Sequence, residues 1–211
     1  MTLGVITKTA LDVATYVKRQ FGDESGIQVT DADIFRWINS GQLYIVQKNK
    51  TIKAKATANI VAAQRDYTLP SQNILQLESL HYDGKFLPSL SLAEFQAQGA
   101  DINEPGTPTM WYEWAGTISL WPVPEDSITD GLTIFYTKLP TAVSATSDLL
   151  SIPDQYFEAI LSWVLSKAYE LDEDYEASNN QRALFSQFLD ETNEEERTAQ
   201  HMTYPVITIV E

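Results

Sequence analysis

Hydrophobic residues near the start of the chain recur with a helical period. Apolar side chains return every fourth position from Val13 to Phe21, and Gly22 follows as a helix stop. The run "TDADIFRWINSGQLYIV" (30–46) opens with residues that cap helices and places an acid where the helix dipole favours it. Gly41 interrupts this run at a modest cost and allows close contact with another helix. The first third is therefore predicted to form two helices.

The middle of the chain changes to the alternation that is typical of strands. The stretch "ANIVAAQRDYTLP" (58–70) predicts a strand, a turn and a second strand. The stretch "ILQLESLHYDGKFLP" (74–88) predicts a hairpin, because polar and apolar residues alternate around an Asp-Gly pair, a favoured two-residue turn. Ser91 and Glu94 have the spacing of a capping box and predict a short helix.

A later strand, "GLTIFYTKLP" (131–140), shows the same alternation. It places Phe135 on the face opposite to Leu132, Ile134 and Tyr136. This strand completes a β-rich middle of about six strands.

The stretch "TMWYEWAGTISLWPVPE" (109–125) holds three of the five tryptophans, Trp111, Trp114 and Trp121. It predicts two short strands around Gly116 with aromatic side chains on both faces. One such face suffices for a core, so the other is expected to meet the flanking helix or another chain. Two interpretations stay open: a core with a subunit contact, since Trp and Tyr are favoured at interfaces, or a platform on which sugars stack.

Helical periodicity returns in the last third. The run "SIPDQYFEAILSWVLSKAYEL" (151–171) predicts a helix with Ser151 as N-cap and Asp154 as its capping-box partner. The run at 172–197 predicts a second helix, with Leu184 among its inward residues. An acidic cluster opens this run and lacks the glycine and spacing of an EF-hand, so a solvated turn is favoured over a cation site. Its members are Asp172, Glu173, Asp174 and Glu176.

Helical and strand segments are segregated along the chain, which predicts the α+β class. The predicted architecture is a bundle of the terminal helices with an inserted antiparallel β-rich lobe. Trp37 and Trp163 are expected to be buried in or beside the bundle. The predicted domains are a helical bundle (1–55 and 150–200), a β-rich lobe (56–149) and an extended C-terminal docking tail (201–211).

The charge is strongly negative and uneven. The formal net charge is -15, with +3 in residues 1–55 and -18 in residues 56–211. This balance opposes tight, non-specific binding of nucleic acid, which depends on neutralising phosphates with Lys and Arg. One basic run, "KNKTIKAK", is a candidate contact for phosphate, or alternatively a solvated helix end and following strand; its cations are Lys48, Lys50, Lys53 and Lys55.

Catalytic and metal chemistry is sparsely represented. The chain has no cysteine and two histidines, His81 and His201, and it lacks the G-x-S-x-G, Walker A and G-x-G-x-x-G motifs. Asp101, Glu104 and Glu113 lie near the tryptophans and are the best of few candidates for a carboxylate pair. We therefore predict no catalytic residue, no metal and no cofactor. No apolar run approaches the ~20 residues that span a bilayer, and the start lacks signal-peptide features, so a soluble protein is expected.

The order of motifs resembles that of the head-to-tail adaptor proteins of tailed bacteriophages, including the tail tubular A type of podophages. The resemblance covers most of the chain, although the large β-region differs from the simplest, all-helical adaptors. The motifs that carry it are "DADIFRWINSGQLYIV", "RDYTLP", "LHYDGKFLP", "ISLWPVPED" with "LTIFYTKLP", and "LLSIPDQYFEAILSWVLSKAYE".

The resemblance implies a structural protein rather than an enzyme. It implies a homo-oligomeric ring, usually of twelve subunits, between the portal protein and a tail or nozzle protein in the neck of the virion. The ring would be assembled in the host cytoplasm and would surround the exiting genome without binding DNA tightly or contacting a membrane. The basic run could then touch an acidic portal surface, and Trp111, Trp114 and Trp121 are candidate interface aromatics.

The C-terminal stretch "TYPVITIVE" (203–211) is the candidate docking tail. Proline prevents the preceding helix from continuing, and the residues after it have strong β preference. The tail either folds back onto its own β-region or adds a strand to a neighbour or to the portal. The candidate contact residues are Pro205, Val206, Ile207, Thr208, Ile209 and Val210.

Two alternatives to the ring adaptor stay open. One is a carbohydrate-binding or hydrolytic virion protein that uses the tryptophan-rich β-region. The other is a tail-completion protein located further from the portal.

Overall fold

The chain folds into two compact units in a computed structural model, which describes residues 5–69, 73–99 and 101–201 and the side chains as far as residue 194. The first, here called the helical unit, comprises the described residues 5–51 and 140–201. The second, here called the β unit, is Ile52–Leu139. The predicted α+β class is confirmed.

Five helices lie within the described residues. They are α1 (Ala10–Phe21), α2 (Asp31–Asn49), α3 (Leu92–Ala97), α4 (Phe157–Leu171) and α5 (Tyr175–His201). A 3-10 turn, Asp154–Tyr156, precedes α4. The short helix α3 belongs to the β unit, and the other four helices form the helical unit.

Nine strands make up two antiparallel sheets and one small parallel pair in the described part of the β unit. They are β1 (Lys53–Ile60), β2 (Asp66–Thr68), β3 (Ile74–Tyr82), β4 (Lys85–Leu87), β5 (Pro105–Gly106), β6 (Met110–Trp114), β7 (Thr117–Trp121), β8 (Val123–Pro124) and β9 (Ile128–Lys138). The four-stranded sheet has the order β1-β9-β3-β4, and the three-stranded sheet has the order β2-β7-β6. Strands β5 and β8 pair in parallel.

Helix α1 begins and ends as its sequence predicts. Thr9 is the N-cap and forms a capping box with Asp12, which satisfies backbone N–H groups of the first turn. Val13 and Val17 are fully buried. Gly22 ends the helix in the left-handed conformation, which glycine adopts without a steric penalty.

The loop after α1 is organised by the buried carboxylate of Asp23. Its oxygens accept hydrogen bonds from the backbone N–H groups of Ile27 (3.1 Å), Gln28 (2.7 Å) and Val29 (2.9 Å). The hydroxyl of Ser25 donates a further bond at 2.9 Å. The amide of Val29 and these other donors stabilise the charged form and lower the pKa of Asp23 from 3.8 to about 2.

We expect this carboxylate to make folding sensitive to acid. A lowered pKa in the folded state stabilises the fold fully above the unfolded pKa of 3.8, and this stabilisation is lost as the pH falls toward 2. In urea unfolding, Asp23→Asn should therefore be less stable than the parent at neutral pH, and the difference should shrink between about pH 4 and pH 2. Asp126→Asn, at an exposed position, is the control. A difference independent of pH would contradict this role for Asp23.

Helices α2 and α4 make close contact at Gly41. A Cβ atom at this position would lie 2.7 Å from Cδ1 of Trp163 and 3.0 Å from Cδ1 of Ile160, closer than carbon atoms pack. The expectation that Gly41 permits close helix contact is confirmed. Trp37 is buried and Trp163 is half-buried, and Trp163 contacts Tyr44 and Phe185 with ring centroids at 5.6 and 5.1 Å.

Gly41→Ala is expected to destabilise the protein although alanine is the better helix former. The helical preference of alanine contributes about 1 kcal/mol. Overpacking against the rigid Trp163 ring costs about 1–3 kcal/mol. The net loss in the free energy of urea unfolding should be at most about 2 kcal/mol. Gln47→Ala, at an exposed position of the same helix, should change it by less than about 0.5 kcal/mol. A gain in stability for Gly41→Ala would mean that the two helices separate easily.

The capping box predicted for Ser151 and Asp154 is wrong. Pro153 precedes the 3-10 turn, and no side-chain cap is present. The carboxylate of Asp154 instead accepts hydrogen bonds from the backbone N–H groups of Thr7 (2.9 Å) and Lys8 (3.2 Å). The Ser151 hydroxyl donates to the carbonyl oxygen of Thr141 at 3.2 Å. Asp154 therefore bonds a backbone segment that is distant in sequence instead of the predicted local partner, Ser151.

The boundaries of the units differ by four and by ten residues from those of the predicted domains, which divide after residues 55 and 149. The units divide after Thr51 and Leu139. Lys53 and its neighbours pair with β9 and belong to the sheet. Residues after 140 join the helices, because the side chain of Asn39 bonds both backbone groups of Val143.

Leu184 does not lie in the core as its helical pattern predicts. It is exposed, whereas Phe185 and Leu189 are the buried apolar residues in the described part of α5. An apolar stripe identifies the buried side of a helix, but the width of the buried face depends on how neighbouring helices cross that helix.

The core of the β unit combines side chains from both antiparallel sheets. The buried cluster comprises Ile60, Tyr67, Leu80, Tyr82, Leu87, Trp111, Ile118, Leu120, Leu132 and Ile134. The hairpin of β3 and β4 forms around Asp83 and Gly84 as predicted. The predicted strands at 58–70 are present, but they join different sheets, since β1 pairs with β9 and β2 pairs with β7.

Candidate interaction surfaces

The three tryptophans of the β6–β7 hairpin lie in three different environments. Trp111 is 7% exposed, and its indole N–H donates to the carbonyl oxygen of Leu87 at 3.1 Å. Trp121 is half-buried, and its indole N–H donates to the carbonyl oxygen of Asp101 at 2.9 Å. Trp114 is 64% exposed. The three side chains therefore do not form a common ligand platform.

Helix α3 covers part of the second aromatic face of the hairpin. Ser91 and Glu94 form the predicted capping box at its start. Phe95 is buried and stacks on Tyr112 with ring centroids 4.9 Å apart, and its ring also lies 5.9 Å from that of Trp121. The expectation that the flanking helix meets this face is confirmed. Within a single chain, Trp114 is the candidate interface aromatic that remains broadly exposed, whereas Trp111 belongs to the core.

Two of the three carboxylates near the tryptophans accept hydrogen bonds from backbone N–H groups two or three residues further along the chain. Asp101 accepts a hydrogen bond from the backbone N–H of Asn103, and Glu113 accepts one from that of Gly116, both at 3.0 Å. Glu104 is exposed. In the part of the chain that the structure describes, no group of three or more His, Asp and Glu side chains is placed to hold a metal ion. None of the helices there is long and apolar enough to cross a membrane.

A cleft of about 660 Å³ lies between residues of the two antiparallel sheets. Its lining is largely aliphatic and contains one carboxylate, Glu113, which already bonds a turn. This composition suits contact with an apolar group more than chemistry. The lining residues are Thr68, Leu69, Ile74, Leu75, Gln76, Leu77, Trp111, Glu113 and Gly116.

The basic run is divided between the two units. Lys48, near the end of α2, pairs with Asp190 at 3.1 Å, and Lys50 ends that helix in the left-handed conformation. Lys53, on β1, pairs with Glu78 at 2.9 Å and also contacts the hydroxyl of Thr137. Lys48 and Lys53 are thus each paired within their own unit, and the side chains of all four cations lie at least partly at the surface.

Aromatic side chains cross the outer face of the four-stranded sheet, opposite to the core. We call Lys55, Phe135, His81 and Phe86 the aromatic row; they come from β1, β9, β3 and β4 in the order of the sheet. The Lys55 ammonium lies 5.7 Å from the centroid of the Phe135 ring. The His81 ring lies 5.3 Å from Phe135 and 5.8 Å from Phe86, edge to face in both cases. Phe86 is 62% exposed.

The pattern of single strands does not reveal this row as a surface. Alternation predicts Phe135 on the face opposite to Leu132 and Ile134, and the structure agrees, since Phe135 is exposed and the other two residues are buried. The register between strands brings the members of the row together, because it places Phe135 opposite Ser79 and Thr133 opposite His81. That register cannot be read from single strands.

The turn between α4 and α5 is acidic and also exposes two large apolar side chains. We call residues 171–176 the acidic turn. Leu171 is 53% exposed and Tyr175 is 63% exposed. Between them, Asp172, Glu173 and Asp174 are exposed, as predicted for a solvated turn. Asp174 caps α5 by accepting a hydrogen bond from the backbone N–H of Ala177 at 3.0 Å.

Two predicted features cannot be placed. The docking tail, with Pro205, Val206, Ile207, Thr208, Ile209 and Val210, lies outside the described residues. His201 is the last residue of α5, and its side chain is not among those described. The docking tail therefore stays a prediction.

The comparisons with known proteins identify the family. The chain belongs to the SU10 adaptor protein family, whose model matches residues 8–208. This is a family of phage head-to-tail adaptors, so the resemblance to such adaptors is confirmed, while the tail tubular A subtype stays a prediction. No curated protein matches the chain. The protein is thus a structural adaptor of a bacteriophage.

Proposed function

We propose that the chain assembles into a ring of twelve identical subunits that connects the portal protein to a tail or nozzle protein in the neck of the virion. The observation that carries this proposal is the family match over residues 8–208. Exposed aromatic and aliphatic side chains support it as well. Phe86, Trp114 and Tyr175 are each more than 60% exposed in the single chain, and aromatic residues are enriched at protein interfaces.

The charge supports a channel through which DNA moves without tight binding. A net charge of -15 repels phosphate, and several of the described cations are paired with carboxylates of the chain itself. A ring around the genome exit channel benefits from such a surface, because the genome must slide through it. We propose that the ring assembles in the host cytoplasm and that Lys50, the cation of the basic run that joins no ion pair with a described residue and no part of the aromatic row, is available to an acidic portal surface.

The carboxylates with shifted pKa values support a structural rather than an enzymatic role. Hydrogen bonds from Thr9 lower the pKa of Asp12, and those from Ser91 lower that of Glu94; both residues cap helices. The backbone N–H groups of Ser144 and Ala145 lower the pKa of Asp148 in a loop. Each of these carboxylates stabilises local backbone, whereas a general acid requires a raised pKa.

The proposal is tested by measuring the size of the assembly. Purified protein is analysed alone and with its portal protein by size-exclusion chromatography with light scattering. We expect twelve 23.7-kDa chains in one particle, either alone or bound to the portal. A protein that stays monomeric and binds no portal would contradict the proposal. Glycan binding by the monomer that is lost in Trp114→Ala would instead support the carbohydrate alternative.

A further inference from the structure

We propose that the aromatic row of one subunit binds the acidic turn of a second copy of the chain. This inference rests on the proposed ring and names the surfaces that join neighbouring subunits. The receiving surface is the outer face of the four-stranded sheet in the β unit. The segment that binds this face is the acidic turn, residues 171–176, in the helical unit of the neighbouring subunit.

The aromatic row has the composition of an interface centre. Phe135, His81 and Phe86 form a continuous line of ring contacts at 5.3 and 5.8 Å across three strands. Phe86 and Phe135 are exposed in the single chain. Large exposed rings that already pack against each other offer apolar area with little further loss of side-chain freedom on binding.

The same face supplies groups that bind carboxylates. Lys55 lies over the Phe135 ring, and no described carboxylate lies within ion-pair distance of it. The imidazole of His81 can donate a hydrogen bond from a ring nitrogen. Glu78, at the edge of the row, already pairs with another cation, Lys53. An acidic partner with apolar side chains fits this face best.

The acidic turn has that chemistry. Leu171 and Tyr175 flank the acids and are each more than half exposed. Glu170, just before the turn, already pairs with Lys167 and Arg182 at 2.8 Å. Asp174 caps α5, which leaves Asp172, Glu173 and Glu176 as the exposed carboxylates that can meet Lys55 and His81. Leu171 and Tyr175 can then pack on Phe86 and Phe135.

The occupant is a second copy because charge complementarity joins two different surfaces of this chain. A chain with a net charge of -15 repels its copies unless acidic surface meets basic surface. A contact between two different patches is heterologous and head-to-tail, and a contact of this kind closes into a ring when the rotation between subunits divides a full turn. A contact between the aromatic row and the acidic turn is therefore of the type that the proposed ring requires.

The test uses charge reversal on each surface of the full chain. Lys55→Glu places an acid in the aromatic row, and the pair Asp172→Lys with Glu173→Lys makes the turn basic. Under conditions in which the parent protein forms rings, each variant alone should self-associate at least about tenfold more weakly, since close interfacial charge pairs contribute more than about 1.4 kcal/mol. Sedimentation velocity over a concentration series measures this change.

Mixing the two variants makes the test specific for contact between copies. In an alternating ring, the acid introduced at position 55 of one variant meets the two bases introduced at positions 172 and 173 of the other, and the opposite interface keeps the parent pairing. An equimolar mixture should therefore recover rings that neither variant forms alone. Glu125→Lys, which changes an exposed residue outside both surfaces, should leave assembly unchanged. Circular dichroism and the urea midpoint confirm that every variant folds.

The outcomes separate this inference from the proposed function. If parent rings form and the two charge-reversed variants assemble equally well, the inference is overturned and the ring adaptor stands. If the variants form rings but lose binding to the portal, the face belongs to the portal and the inference is also overturned. A third variant combines Lys55→Glu, Asp172→Lys and Glu173→Lys in one chain. If this variant assembles but the mixture does not, the contact lies within one chain and the inference is overturned as well. If the parent forms no ring even with portal, the proposed function fails first.

Discussion

Replacing Trp111 with alanine is expected to lower the free energy of unfolding by about 3–5 kcal/mol. The side chain is 7% exposed and belongs to the buried cluster that joins the two antiparallel sheets. Its removal leaves a cavity and also deprives the carbonyl oxygen of Leu87 of the indole N–H at 3.1 Å. Urea unfolding followed by circular dichroism measures the loss, which is a large part of the stability of a typical domain.

Trp114 provides a matched control in the same strand. It is 64% exposed, so Trp114→Ala removes a ring of the same size with almost no loss of core packing. The free energy of unfolding should change by less than about 0.5 kcal/mol. Equal losses for the two variants would mean that the burial of these side chains does not decide the stability of the β unit. A loss confined to Trp111 confirms its structural role.

Deleting residues 203–211 is expected to abolish attachment to the portal while the subunit still folds. The deleted stretch "TYPVITIVE" carries five consecutive residues of strong β preference, from Val206 to Val210. Burying one such apolar side chain contributes roughly 1.5–3 kcal/mol. The loss of several should weaken attachment by more than about 100-fold, since each step of about 1.4 kcal/mol is a factor of ten. Pull-down with portal and the urea midpoint of the subunit measure the two effects.

A full-length variant separates the length of the tail from its apolar character. Ile207→Asp with Ile209→Asp keeps every backbone group but places acids on one side of an extended segment. It should lose portal attachment as the deletion does. Normal attachment of either variant, or a truncated subunit that unfolds by itself, would show that the tail is not a docking arm.

Local patterns predict the elements of this fold well where their partners are local. The stripe from Val13 to Phe21 and the stop at Gly22 define α1, and the Asp-Gly turn defines the hairpin of β3 and β4. The capping box of Ser91 with Glu94 is likewise complete within four residues. Each of these features depends on groups a few residues apart, so the sequence carries the necessary information.

Features that depend on distant partners could not be predicted. Asp154 has the spacing of a capping residue, but its carboxylate accepts hydrogen bonds from the backbone N–H groups of Thr7 and Lys8 instead. Alternation shows that Trp111 and Trp114 lie on opposite faces of a strand, but not which face joins the core. The difference between 7% and 64% exposure arises from packing with residues distant in sequence.

The aromatic row could not be predicted from the sequence for the same reason. Its members come from strands that are widely separated along the chain, and the order β1-β9-β3-β4 brings them together. The acidic turn, in contrast, is evident from the sequence as a solvated segment, but its exposed Leu171 and Tyr175 are not. Interaction surfaces of an adaptor are therefore harder to predict than its elements, because they depend on register and on what neighbouring segments leave uncovered.

Cryo-electron microscopy of the purified virion neck would show directly whether this chain forms the proposed ring. We expect twelve copies of this fold in a ring between the portal and the tail, with the DNA channel at its centre. In such a map, the sheet face that carries Phe86 and Phe135 should contact the turn at 171–176 of the neighbouring subunit. Density for this chain at another place in the virion, or a neck in which it forms no ring, would show that it is not a ring adaptor between portal and tail.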